Sequence, residues 1–90
     1  HLPKIMIRDS AVDAIAHGAD LAVPGIVKFT GDIVKGGLVA ILTLKGELVA
    51  LGKALKNAEE IKGMEKGIVV KTWRVYMERG VYPDVWRRKK

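Results

Sequence analysis

His17-Gly18-Ala19-Asp20-Leu21-Ala22-Val23-Pro24-Gly25-Ile26-Val27-Lys28 sets two glycines, a proline and a carboxylate between a predicted helix and a predicted strand. Regular elements reject that mixture. Gly18 stands where a left-handed residue ends a helix, Asp20 can bond nearby backbone, and Pro24-Gly25 bends the entry into a strand. The stretch is therefore a corner, and a short run of backbone that a ligand can approach closely.

Upstream of this corner, Lys4-Ile5-Met6-Ile7-Arg8 reads as a short strand, with apolar residues flanked by charges. Asp9-Ser10 then open a helix over Ala11-Val12-Asp13-Ala14-Ile15-Ala16, and Ser10 with Asp13 has the spacing of a capping box. His17 is expected in the last turn, where the helix dipole favours positive charge.

Downstream, residues 25–30 form a strand pattern and Gly31-Asp32 and Lys35-Gly36-Gly37 form turns. Residues 38–44 and 47–51 flank Lys45-Gly46, which predicts a tight hairpin. Its first arm, Leu-Val-Ala-Ile-Leu, is apolar on both faces and so predicts a central strand. Asn57 caps a short helix with Glu59 and Glu60 in its first turn. Residues 68–77 give the longest strand pattern. Neither of its faces is purely apolar, so it leaves the core and carries Lys71, Trp73 or Arg74 to a rim. Tyr82-Pro83-Asp84-Val85-Trp86 is read as an irregular piece packing its rings on the sheet. The fold class is mainly β with two short helices (α+β), a small barrel-like sheet.

Composition narrows the function classes. Ninety residues make one domain, and 49% hydrophobic with only 6% aromatic residues means an aliphatic core. The absence of cysteine excludes disulfides, thiolate nucleophiles and cysteine-based zinc sites. No apolar run approaches the roughly 20 residues of a membrane span, and no signal-peptide pattern precedes Pro3, so the expectation is a cytoplasmic protein with no membrane contact. The net charge is +6, but Arg87-Arg88-Lys89-Lys90 carries four of those charges, leaving +2 for the chain before it. That basic tail, residues 87–90, is read as a solvated end. Phosphate-binding loops, metal-ligand spacing and a nucleophile triad are all missing, and the paired acids Asp9/Asp13 and Glu59/Glu60 are explained by helix capping and by divergent helix faces. The expectation is a non-catalytic chain with no cofactor and no metal.

The helix start Asp9-Ser10-Ala11-Val12, the corner from His17 to Val27, Gly46-Glu47-Leu48-Val49-Ala50-Leu51-Gly52-Lys53-Ala54 and Gly67-Ile68-Val69-Val70 together resemble a PUA domain. This is the RNA-binding module of pseudouridine synthases and archaeosine transglycosylases. The likeness spans nearly the whole chain, with residues 1–86 as a single PUA domain, and is greatest to the archaeal dyskerin-like synthases of box H/ACA ribonucleoproteins. Two departures stand out: Gly37 follows Gly36 where the family more often has Asp, and Met6 stands where an aromatic is common. The resemblance implies a pseudobarrel of five or six strands, C-terminal to a catalytic domain that carries the catalytic aspartate. It implies binding of the lower stem and ACA trinucleotide of a guide RNA, for uridine-to-pseudouridine isomerisation in rRNA or tRNA. The implied partners are that RNA, the parent synthase's catalytic domain and the associated ribonucleoprotein proteins. Two further readings are a PUA module of a tRNA-modifying or translation-associated protein and a protein-docking domain, the latter resting on Tyr82, Val85 and Trp86.

The expected RNA-binding residues are His17, Gly18, Ala19, Asp20, Leu21, Val23, Pro24, Gly25, Val27, Lys28, Lys53, Lys71 and Arg74. Gly18 and Gly25 would open backbone groups to base edges, while Leu21, Val23 and Pro24 would offer apolar surface to splayed bases. Lys28, Lys53, Lys71 and Arg74 would neutralise stem phosphates. His17 has two readings, a base or phosphate contact and a helix-end packing residue. Asp20 likewise either reads a base amino group or bonds its own loop, and Trp73 either stacks a base or packs at the rim.

Overall fold

The computed structural model describes residues 2–77, so the expectations for residues 82–90 lie outside the described residues. In chain order the elements are β1 (Lys4–Ile7), α1 (Asp9–Ala16), β2 (Leu21–Ala22), a 3-10 turn (Val23–Gly25), β3 (Ile26–Phe29), β4 (Leu38–Leu42), β5 (Leu48–Ala54), α2 (Ala58–Lys62) and β6 (Ile68–Val75). The six strands form one sheet in the order β2-β6-β5-β4-β1-β3. Its two edge strands are consecutive in the chain and are joined only by Val23–Gly25. The sheet therefore curls into a nearly closed pseudobarrel, the mainly β architecture expected, which leaves little free edge.

Closure is set by hydrogen bonds on either side of the turn. Arg8 N–H donates to Gly25 O at 2.9 Å, and Val23 N–H donates to Gly67 O at 2.9 Å. The core inside is aliphatic, as composition demanded. Ile5, Ile7, Ile41, Val39, Val49, Val69 and Val70 from the strands meet Val12 and Ile15 of α1 and Ile61 of α2, all at 3% exposure or less. Burying such side chains contributes roughly 1.5–3 kcal/mol each. β4 lies between β5 and β1 with Val39 to Leu42 all buried, the central strand that its unbroken apolar run predicted.

Several local expectations are corrected. The box of Ser10 and Asp13 does not form: α1 begins two residues earlier, at Asp9, its N-cap is Arg8, and no side chain caps it. Asp9 supplies the acid of the first turn instead. His17 is the C-cap rather than a last-turn residue. The hairpin is wider than Lys45-Gly46 implied, with residues 43–47 joining β4 to β5. Thr43 explains this, since its buried Oγ1 accepts the N–H groups of Lys45 (3.2 Å) and Glu47 (3.1 Å) and holds the five-residue turn together beside the Thr43 N–H to Glu47 O bond. In α2 the capping prediction holds: the Glu60 carboxylate accepts the Asn57 N–H at 2.9 Å. Asn57 Oδ1 accepts the Lys35 N–H at 2.7 Å, tying the helix start to the loop before β4.

β-bulges shape the outer surface. In the β5–β6 ladder Leu51 faces Arg74 but Gly52 faces Thr72, so Trp73 is the extra residue. In β1–β3, Met6 faces Lys28 but Ile7 faces Ile26, so Val27 is the extra residue. Bulges bend a strand and re-aim side chains. Trp73 and Val27 are 63% and 50% exposed.

Candidate nucleic-acid interface

The corner begins with a helix stop. Gly18 has φ +96°, Gly18 N–H donates to Ile15 O at 2.9 Å, and Ala19 N–H donates to Ala14 O at 3.0 Å. This is a Schellman motif, and only glycine takes its left-handed position without strain. His17 Nδ1 lies 2.8 Å from Asp13 O and 3.5 Å from Asp13 Oδ2. The ring is thus held against the helix end while remaining about half exposed.

After the helix stop, the chain is stitched to β6. Asp20 Oδ1 accepts the Thr72 N–H at 3.1 Å, and Thr72 Oγ1 donates to Ala19 O at 2.7 Å. Asp20 therefore does not bond its own loop. Leu21 then opens β2 opposite Val70 and is 1% exposed. It offers no surface to a base, a correction that follows from its inward place in the ladder. Pro24 and Val27 are exposed, while Val23 and Gly25 are partly covered. A Cβ on Gly25 would lie 3.1 Å from Ala11 Cβ, so the turn rests closely on α1.

Register sorts the expected cations into two groups. Residues directly opposite one another share a face of the sheet. Lys53 stands opposite Lys71, and Leu51 opposite Arg74, so all three cations point outward from β5 and β6. Lys71 adjoins Thr72 and hence the Asp20 loop. Arg74 places its guanidinium 5.8 Å from the centre of the Tyr76 ring. Lys28 belongs elsewhere: it faces Met6 on the far strand of the sheet, beside Lys4, Phe29 and Thr30.

Like charges directly opposite in a ladder are unfavourable, and among the described residues no acid pairs with Lys53 or Lys71. Two ammonium groups thus share one exposed stretch of the sheet. Its chemistry suits a phosphate, and the exposed Gly18-Ala19-Asp20 backbone lies against the same strand. Sequence reasoning missed Thr72, whose only signal was a hydroxyl in an otherwise apolar and basic strand. Lys4 was missed as well, because Lys28, the partner of Met6, comes near it only through the β1–β3 pairing. No group of three or more His, Cys, Asp or Glu able to hold a metal comes together among the described residues.

The PUA domain family model matches residues 3–76, which include every element described above. This chain belongs to the PUA domain family. It is 61% identical over 89 residues to the probable tRNA pseudouridine synthase B of Pyrobaculum aerophilum, covering 99% of this chain and 27% of that protein. The probable tRNA pseudouridine synthase B of Methanocaldococcus jannaschii is 57% identical over 90 residues, again with 27% of its length covered. This PUA domain thus spans about a quarter of those relatives.

Solved structures agree. The archaeal box H/ACA sRNP Nop10-Cbf5 complex contains a chain 60% identical, with a TM-score of 0.88 over 92% of this chain and 27% of that one. An H/ACA RNP bound to a substrate RNA containing 2′-deoxyuridine contains one 57% identical, with a TM-score of 0.89 over 96% of this chain and 27% of that one. Among the described residues no helix is long and apolar enough to cross a membrane.

Proposed function

We propose that this PUA domain is the RNA-holding module of an archaeal box H/ACA pseudouridine synthase. It binds the lower stem and the unpaired ACA end of a guide RNA, and a separate catalytic domain converts uridine to pseudouridine. The observation that carries the reading is the Lys53–Lys71 couple, with no acid paired to it among the described residues, set beside the Asp20–Thr72 stitch. The cations hold stem phosphates, which supplies affinity and register without sequence information. The Schellman stop and Thr72 engage the Gly18 and Ala19 N–H groups and the Ala19 carbonyl, so the backbone group that exposed Gly18 offers to base edges of the strand continuing from the stem is its carbonyl. Support comes from likeness to chains in box H/ACA complexes, one of them bound to substrate RNA.

The test is a titration of this chain with a hairpin ending in ACA and with the same hairpin lacking that end. Tighter binding of the first supports the reading, and equal affinities overturn the assignment of the corner. A tRNA acceptor stem is the second reading, favoured by relatives described as tRNA pseudouridine synthases. Tighter binding of the acceptor stem than of either hairpin would establish it.

A further inference from the structure

The aliphatic core does not account for Trp73. Its ring is 63% exposed and takes no place in the core. A single exposed ring is ordinary on a protein surface, so its setting decides the reading. Lys71 faces Lys53 on the outer side of the ladder, Thr72 points the other way, on the side of Gly52, and Arg74 is outward again opposite Leu51. Alternation puts Trp73 on the outer side with the lysines, and the bulge sets Arg74 beside it instead of behind the sheet. Lys71 is two residues away, about 7 Å along the strand. Arg74 follows directly, its guanidinium 5.8 Å from the centre of the exposed Tyr76 ring. On the other edge of β6 the corner is tied to Thr72 through Ala19 O and Asp20 Oδ1, which engages the carboxylate of the corner. A flat ring is thus bordered by cations. An apolar protein surface laid on it would strip water from Lys71 and Arg74 with no anion in return, whereas a nucleotide supplies both a flat face and a phosphate.

We infer that Trp73 is a stacking platform for one unpaired base of the RNA strand that leaves the stem, with the phosphate of that nucleotide on Lys71. The inference rests on the RNA-binding reading and adds to it a residue outside the corner and the lysine couple. Position favours this occupant. Trp73 follows Thr72, the residue to which the Gly18–Asp20 corner is bonded, so a strand passing from the Lys53–Lys71 couple to the corner crosses the ring. Every base has a face to stack, so the platform contributes affinity for an unpaired end without choosing its sequence, a choice that stays with the corner.

The ring itself supplies the readout. The chain has two tryptophans, so labelling with 5-fluorotryptophan gives two fluorine resonances, and the one lost in Trp73→Phe belongs to Trp73. The labelled chain is titrated with a blunt hairpin, the same hairpin ending in ACA and the same hairpin ending in three adenosines. The Trp73 resonance is expected to shift with both tailed hairpins and to stay in place with the blunt one. Trp73→Ala should weaken both tailed hairpins about tenfold, within the range of one stacked base, while Trp73→Phe, which keeps a ring, restores most of that loss. The preference for ACA over the adenosine tail should be the same in both variants. Should Trp73→Ala lower the thermal midpoint, the resonance of the unsubstituted chain decides. Tailed hairpins that bind with the Trp73 resonance unmoved overturn the platform, leave the RNA-binding reading intact and return the exposed ring to the protein-docking reading. A shift of the same size with the blunt hairpin overturns the unpaired base as occupant. Failure of all three hairpins to bind removes the RNA-binding reading itself.

Discussion

Asp20 and Thr72, fifty-two residues apart, are joined by a carboxylate-to-amide bond of 3.1 Å that fastens the corner loop to β6. The Thr72 hydroxyl doubles the link through Ala19 O at 2.7 Å. The carboxylate therefore acts first on the loop's position. A loop that must present backbone to a ligand needs such an anchor, since ordering it only on binding would cost affinity.

Replacing Asp20 separates anchoring from base reading. Asp20→Asn retains an acceptor and is expected to cost a few tenths of a kcal/mol, whereas Asp20→Ala should cost about 1 kcal/mol in urea unfolding. Thr72→Val, which removes the donor to Ala19, should match the alanine variant. Loss of discrimination for the ACA end by Asp20→Asn, with stability unchanged, would instead assign the carboxylate to base recognition.

Gly18 has open space around its Cα, so substitution there tests backbone strain alone. At φ +96° an L side chain is disfavoured, and Gly18→Ala should destabilise the chain by about 1–2 kcal/mol. Gly18→Val should cost more and reduce discrimination for the unpaired end, measured by the pair of hairpin titrations.

Gly52 reports on a different constraint. It stands opposite Thr72 beside the Trp73 bulge, and a Cβ there would collide with Val70 Cγ1 and lie 2.9 Å from Lys71 O. The contact with Lys71 O is with backbone, which cannot turn aside. Gly52→Ala should lower stability by roughly 1–3 kcal/mol or more, seen as a lower thermal midpoint.

Lys53 and Lys71 should trade stability against binding. Lys71→Gln removes a like-charge cross-strand contact and is expected to raise stability by a few tenths of a kcal/mol at low salt. The same change should weaken every RNA about equally and reduce the slope of log affinity against log salt by about 0.7–0.9, the contribution of one phosphate contact. Unfolding and binding measured at 50 mM and 200 mM salt check both halves.

Much of the fold was legible because its signals are local. The unbroken apolar run of residues 38–42 marked a central strand, Gly18 marked the helix stop, and Asn57 with Glu60 marked the second helix. The errors came where two local solutions compete. Ser10 and Asp13 had capping-box spacing, yet the chain entered the helix two residues earlier, at Asp9. Leu21 looked available to a ligand because it lies among turn residues, but a two-residue strand turns it into the core.

By itself the sequence determined an aliphatic, mainly β domain, its turns and helix ends, and the corner from His17 to Lys28, because propensity and glycine conformation act over a few residues. Only the tertiary structure decided which cations stand together. Strand pairing set Lys53 against Lys71 and carried Lys28 away to Lys4, and one bulge turned Trp73 outward. Register between distant strands is a property of the closed sheet, so the face that a lysine joins is settled only when the barrel forms.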